Sequence, residues 1–246
     1  MQRLPVSVSA FVCFVCLVVQ LATPASPSAT PAVLETARLR FQLDPASGSY
    51  ELLDKAANVT WRSNPYQPRL GEVTAWIDGK TQRFPLAACE ARQLDQSLEF
   101  TFRPVPSQAT SALVVRVRAL PDKRSLEYSY TASALSVESV RLLDEALGTT
   151  DTDHGAVLVP TREGLFIPAD SGLAFTHRFD TYTYEGCHMQ MVGVLKQGAA
   201  AMLTWNDLYV AAELASSVTN LPSLPGRQAL TTSLVLRKSA PSFRLH

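Results

Sequence analysis

Short segments that alternate apolar and polar residues recur from residue 35 to residue 237, at intervals of roughly 8–15 residues, with turn residues between them. This rhythm most constrains what the chain can become. Residues 35–43 put Ala37, Leu39, Phe41 and Leu43 on one side and polar groups on the other, the pattern of a half-buried strand. Asp44, Pro45 and Gly48 then make a turn, and residues 49–54 return as a hairpin partner. Asp78-Gly79-Lys80 marks a second hairpin between residues 72–77 and 82–86. Residues 59–62, 98–103, 112–120 and 125–132 read as further strands. So do 189–196, 199–205, 208–214 and 229–237. In residues 136–147, Val137, Val140, Leu142 and Leu143 do not hold a 3.6-residue stripe. A strand with a bulge is expected there rather than a helix. No segment after residue 25 gives a long amphipathic helix. The expectation is therefore an all-β chain, a large antiparallel β-sandwich, with one domain over residues 34–240.

Composition narrows the class. The 246 residues are 46% hydrophobic and 18% charged, with a formal net charge of zero. That is enough apolar surface for a core, and it lacks the clustered Lys and Arg that phosphate backbones require. No nucleic-acid partner is expected. Residues 1–25 read as a signal peptide: Arg3 leads an apolar run through Leu21, and small residues allow cleavage after Ala25. Ser7, Ser9 and Gln20 weaken the alternative of a membrane anchor. Residues 26–33, rich in Pro, Ser and Ala, read as a linker. A secreted or periplasmic location follows, with no membrane partner beyond the signal segment. Only Cys89 and Cys187 of the four cysteines then remain. They are either a disulfide or two free thiols.

Candidate sites come without a catalytic signature. No nucleophile elbow, HExxH, phosphate loop or dinucleotide fingerprint occurs. No catalytic residue, metal ligand set or cofactor is assigned. Asp151-Thr152-Asp153-His154 is a cation or sugar site, or else a polar turn. Tyr182, Tyr184, Glu185 and His188 form the densest polar-aromatic cluster. Alternation puts both tyrosines on one face of an extended segment. They either stack on a sugar or half-bury at an edge turn. Trp205, Asn206 and Asp207 follow an apolar strand. They offer a flat ring with hydroxyl-binding groups, or a simple β-turn. Trp61 and Trp76 are expected in the core. Glu163 is a lone carboxylate candidate, whereas glycoside hydrolysis normally uses two.

Several stretches resemble a known group. LDEALG, HGAVLVPTREGLFIPADSG and YEGCHMQMVGVLKQGAAAMLTWND, together with the opening DPASGSYELLD and NVTWRSNP, resemble the N-terminal β-supersandwich of several glycoside hydrolase families. In those families it precedes a catalytic (β/α)8 barrel, and its fold is akin to galactose mutarotase. The likeness spans about residues 35–237. It implies a carbohydrate partner and a separate (β/α)8 catalytic domain that carries the catalytic carboxylates. No strand–helix alternation for a barrel occurs in this sequence. The resemblance therefore implies a non-catalytic accessory module, a truncated product or one part of a larger enzyme, and it transfers no catalytic residue. Two other readings stand beside it. One is a mutarotase-like or small carbohydrate-active enzyme using Glu185 with His188 or His154. The other is a structural envelope or adhesion protein.

Overall fold

The computed structural model describes residues 30–64, 67–221, 224–237 and 242–246. The segment read as a signal peptide and the first half of the segment read as a linker lie outside them. Nineteen strands and one 3-10 turn, Asp151–Asp153, make up the described regular structure. They form three sheets in which every pair of neighbouring strands is antiparallel, arranged as a β-sandwich.

The first sheet is a meander of Ala32–Glu35, Leu39–Leu43, Tyr50–Asp54 and Val59–Arg62. The second has nine strands. From one edge they run Leu165–Pro168, Ala156–Val159, Met191–Lys196, Ala199–Thr204, Ser242–Leu245, Leu126–Ser133, Ala112–Ala119, Ser97–Phe102 and Glu90–Leu94. The third has six, in the order Phe175–Asp180, Ala211–Leu221, Leu224–Arg237, Val137–Thr150, Gly71–Ile77 and Lys80–Leu86.

Alternation drives the assembly. In Leu39–Leu43 every second side chain is buried, and in Ala112–Ala119 Leu113, Val115 and Val117 are fully so. One continuous core collects residues of all three sheets, among them Phe41, Phe100, Tyr128 and Leu142. Phe41 lies with ring centroids 5.8 Å from Tyr50, 6.3 Å from Phe100 and 6.1 Å from Tyr128, and Tyr128 stacks on Phe243 at 4.9 Å. Aromatic pairs at such spacings add about 0.5–1.5 kcal/mol beyond the area they bury.

Two boundaries and the placement of one tryptophan differ from the sequence expectation. The first strand begins at Ala32, inside the stretch read as a linker, because Ala32 and Val33 pair with Leu43 and Gln42. Beyond residue 240, Ser242–Leu245 buries Phe243 and Leu245 and inserts into the middle of the nine-stranded sheet. Trp61 is buried as expected, but Trp76 is 51% exposed. It occupies an outward position of Gly71–Ile77, between buried Ala75 and Ile77. Strand parity, not hydrophobicity, decided its side.

The bulged strand is Val137–Thr150. Its register against Leu224–Arg237 slips twice, between Leu142 and Ala146 and between Ala146 and Thr149. Leu143, Glu145 and Leu147 all have positive φ, at 51°, 48° and 48°. Left-handed backbone costs an ordinary residue roughly 1–2 kcal/mol. Here it lets Leu142, Leu143, Ala146 and Leu147 all be buried, which simple alternation would forbid. The slip also turns Asp144 inward, where its side chain is 2% exposed and paired with Arg69 and, at 3.6 Å, with Arg141. Arg141 in turn holds Glu213 through two bonds of 2.6 and 3.0 Å.

Candidate functional site

The loop between Phe175–Asp180 and Met191–Lys196 carries most of the polar-aromatic cluster. Its base is pinned by main-chain bonds: Tyr182 N–H donates to Cys187 O at 2.8 Å and Cys187 N–H donates to Asp180 O at 3.0 Å. Gly186 is required at that pinch. A Cβ there would lie 1.8 Å from Asp180 O. Cys187 is fully buried beneath the loop, and both it and Cys89 are free thiols. The disulfide alternative is thereby corrected to two separate thiols. Burial, then the nearby Asp180 carboxylate, pushes the Cys187 thiol up to about 12. Burial does the same for Cys89, helped by Asp44 and Glu90.

Above the pinch, Tyr182, Tyr184, Glu185 and His188 are all exposed, Tyr184 at 76%. The structure does bring the last three together, through a residue the sequence reading passed over. Arg162, at the turn between Ala156–Val159 and Leu165–Pro168, lies over the Tyr184 ring with its Cζ 4.4 Å from the centroid. Its Nη2 donates to Glu185 Oε1 at 2.5 Å, and its backbone N–H donates to His188 Nδ1 at 3.1 Å. His188 N–H closes the join by donating to Pro160 O at 2.7 Å. Because His188 Nδ1 accepts, the neutral ring carries its proton on Nε2. Tyr182, at φ 55°, stands to one side, its hydroxyl 3.4 Å from Gln190 Oε1. No local sequence signal marks Arg162. It lies 23 residues from Glu185, and only the pairing of the two loops joins them.

Trp205 is not part of this face. Its indole is 3% exposed, and its Nε1 donates to Thr181 Oγ1 at 2.9 Å. Thr181 passes its own hydrogen to Val210 O at 2.6 Å. The expectation of a ring presented to a sugar is corrected: Trp205 plugs the underside of the loop. Asp207 accepts from Tyr209 N–H at 2.8 Å and so shapes its own turn. Asn206 is exposed but borders only a small cavity of about 40 Å³, beside Trp205 and Phe243. The triplet is the turn alternative, not the binding one.

The Asp151–His154 segment is likewise a polar turn. Asp153 and Thr150 cap the 3-10 turn reciprocally, and Gln197 donates to Asp153 at 2.8 Å. Among the described residues no three His, Cys, Asp or Glu side chains converge as a metal ion would need. Glu163 is exposed beside Arg162, without a second carboxylate held against it among the described contacts.

Apolar exposure falls mostly in the same stretch of sequence. Of the ten large hydrophobic residues exposed among the described ones, nine fall between Leu158 and Tyr209. Phe166, Met189, Leu208 and Tyr209 are each more than half exposed.

No protein-family model and no curated protein sequence matches this chain. Solved structures do share its fold. The α-N-acetylgalactosaminidase NagBb from Bifidobacterium bifidum, in complex with GalNAc, is similar with a TM-score of 0.67 and 11% identity, over 87% of this chain and 36% of that chain. The same enzyme in complex with Gal-NHAc-DNJ gives a TM-score of 0.65 and 10% identity, over 87% of this chain and 35% of that one. The likeness is of fold. This chain spans about a third of the length of the glycosidase it resembles, and its described residues contain only the β-sandwich, with no (β/α)8 barrel.

Proposed function

We propose that this chain is a non-catalytic accessory module of a carbohydrate-active enzyme, exported from the cell, whose Arg162–His188 face contacts carbohydrate. The observation that carries the reading is the Arg162–Tyr184–Glu185–His188 assembly. One face of the Tyr184 ring is backed by a guanidinium, which leaves a flat, mostly exposed aromatic surface for the C–H side of a pyranose. Glu185 and His188 Nε2–H supply an acceptor and a donor for sugar hydroxyls beside it. The fold likeness to a part of an α-N-acetylgalactosaminidase supports the same reading, although fold alone transmits no activity.

The enzyme alternative is less well supported. Glu185 is tied to Arg162, and the Nδ1 of His188 is occupied by a backbone N–H. A general acid–base pair across a sugar ring needs both groups free to exchange a proton with substrate.

N-acetylgalactosamine-agarose and an array of GalNAc- and galactose-terminated glycans are the first probes. Retention of the native chain, with loss for Tyr184→Ala and Arg162→Ala, is the expected outcome. Equal retention of all three proteins, or of none, sinks the carbohydrate contact. Export is checked separately, by sequencing the N-terminus of the mature protein; Ser26 is the expected first residue.

A second reading has its own observation. Nine of the ten exposed large hydrophobic residues among the described ones lie between Leu158 and Tyr209 in the sequence. This exposure suits support of a separate (β/α)8 catalytic domain. A purified barrel partner that lowers the exposure of Phe166 and Leu208 in hydrogen exchange or footprinting would support this; unchanged protection would remove it.

A further inference from the structure

A cavity of about 310 Å³ opens where the four-stranded sheet meets the nine-stranded one, well separated in sequence from the Arg162 cluster. Its apolar lining comes from Leu39, Leu52 and Trp61 on the first sheet and from Ala201 and Leu245 on the second. That volume and mixed lining fall at the lower end of the range of small-molecule sites, roughly 300–1,000 Å³.

The polar groups at its mouth are unequal in what they leave free. Asp54 already accepts from Arg38 Nε and Nη2 and from the N–H groups of Ala56 and Ala57. Asp122 accepts from the N–H groups of Arg124 and Ser125 and from Ser125 Oγ at 2.6 Å. Ser125 thus donates its only hydrogen to Asp122 and must accept from His246 Nδ1 at 2.8 Å. His246 Nε2 meets Thr204 Oγ1 at 2.9 Å. The side-chain acceptors around the cavity are occupied.

The donors are not. Arg124 lines the mouth, and its guanidinium makes no ion pair or hydrogen bond among the described residues. Arg38 keeps its Nη1 after its two bonds to Asp54. A polyol brings donors and acceptors in equal number and would find its donors unanswered. A ligand that brings only acceptors on one end, and carbon on the other, matches both the free donors and the lining.

We infer that this cavity is a binding site for a small monocarboxylate with an apolar body, held by Arg124 at the carboxylate and by the Leu39–Leu52–Leu245 wall at the other end. Arg124 is the specificity-determining group. Asp122 and Asp54 stay charged and occupied; hydrogen bonds from Ser125 and Arg124 hold the Asp122 carboxyl below its usual range.

Phenylacetate is the probe, titrated into the full chain by calorimetry and by tryptophan fluorescence. Saturable binding is expected, about tenfold or more weaker for methyl phenylacetate and for Arg124→Gln, the usual scale of one charge-assisted contact. Ala200→Trp, an exposed residue at the cavity lining, should abolish it while leaving the fold intact by circular dichroism. Equal affinity for acid and ester, undiminished binding by Arg124→Gln, no saturation at all, or a preference for glucose over phenylacetate would each overturn the assignment.

Discussion

Two arginine–carboxylate clusters in this molecule share their chemistry and differ in burial. Asp144 sits in the bulged strand with its side chain 2% exposed, against Arg69 at 21%. Glu185 sits on the loop surface at 68%, against Arg162 at 46%. The buried pair is surrounded by groups that would otherwise be stranded: Glu145 N–H donates to Ser233 Oγ at 2.7 Å, and Asn64 donates to Glu145 at 2.7 Å. It fixes where a strained strand turns. The exposed pair joins two surface loops and leaves a ring face open. The comparison teaches that one ion pair here belongs to folding and the other to the surface, because desolvation raises the stakes of the first and water screens the second.

The largest expected effect is at Asp144. Asp144→Ala leaves Arg69 and Arg141 facing a buried gap and should cost about 3–5 kcal/mol in denaturant unfolding. A loss no larger than that of Glu185→Ala would break the comparison. Trp205→Ala should rank beside it, at about 3–5 kcal/mol, since it empties a buried site and removes the hydrogen bond that Thr181 Oγ1 accepts. A stable Trp205→Ala would return the indole to the surface and reopen its role in binding. Gly186→Ala should cost about 1–3 kcal/mol, because its Cβ must displace Asp180 O. The loop above should lose order in hydrogen exchange.

Smaller effects sharpen the surface side. Burial works against the charge of Asp54, but hydrogen bonds from Arg38, Ala57 and Ala56 outweigh it and hold its carboxyl below the ordinary 3.8. A depressed folded value means stability present above the unfolded value and lost as pH falls through the folded one. Asp54→Asn should therefore flatten the acid limb of a stability–pH curve without altering stability's pH dependence above about pH 6. Smallest of all, Arg162→Ala should change stability by less than about 1 kcal/mol while removing carbohydrate retention. A loss of several kcal/mol would make the exposed cluster structural after all.

Much of the fold was legible along the chain. Leu39–Leu43 and Ala112–Ala119 announced themselves because their inner and outer faces differ in polarity, and Gly71–Ile77 through the Asp78-Gly79-Lys80 turn that follows it. The bulge in Val137–Thr150 was legible because Val137, Val140, Leu142 and Leu143 hold no 3.6-residue stripe. The short final strand Ser242–Leu245 was missed because it has four residues and no partner nearby in sequence; Leu126–Ser133 and Ala199–Thr204 frame it. In the candidate site, Tyr184, Glu185 and His188 were legible as a local cluster. Arg162 was not, and the triplet at Trp205 looked the same whether turned out or in.

The sequence by itself determined that this chain is a layered antiparallel β protein, since period-two patterning and turn chemistry are local properties that any window of residues displays. Tertiary structure alone decided that Trp76 faces out and Trp205 faces in. It also decided that Asp144 faces inward, and that Arg162 meets Tyr184 across the gap between two loops. Those outcomes depend on register and on which sheets meet, and a single slipped residue in either reverses them.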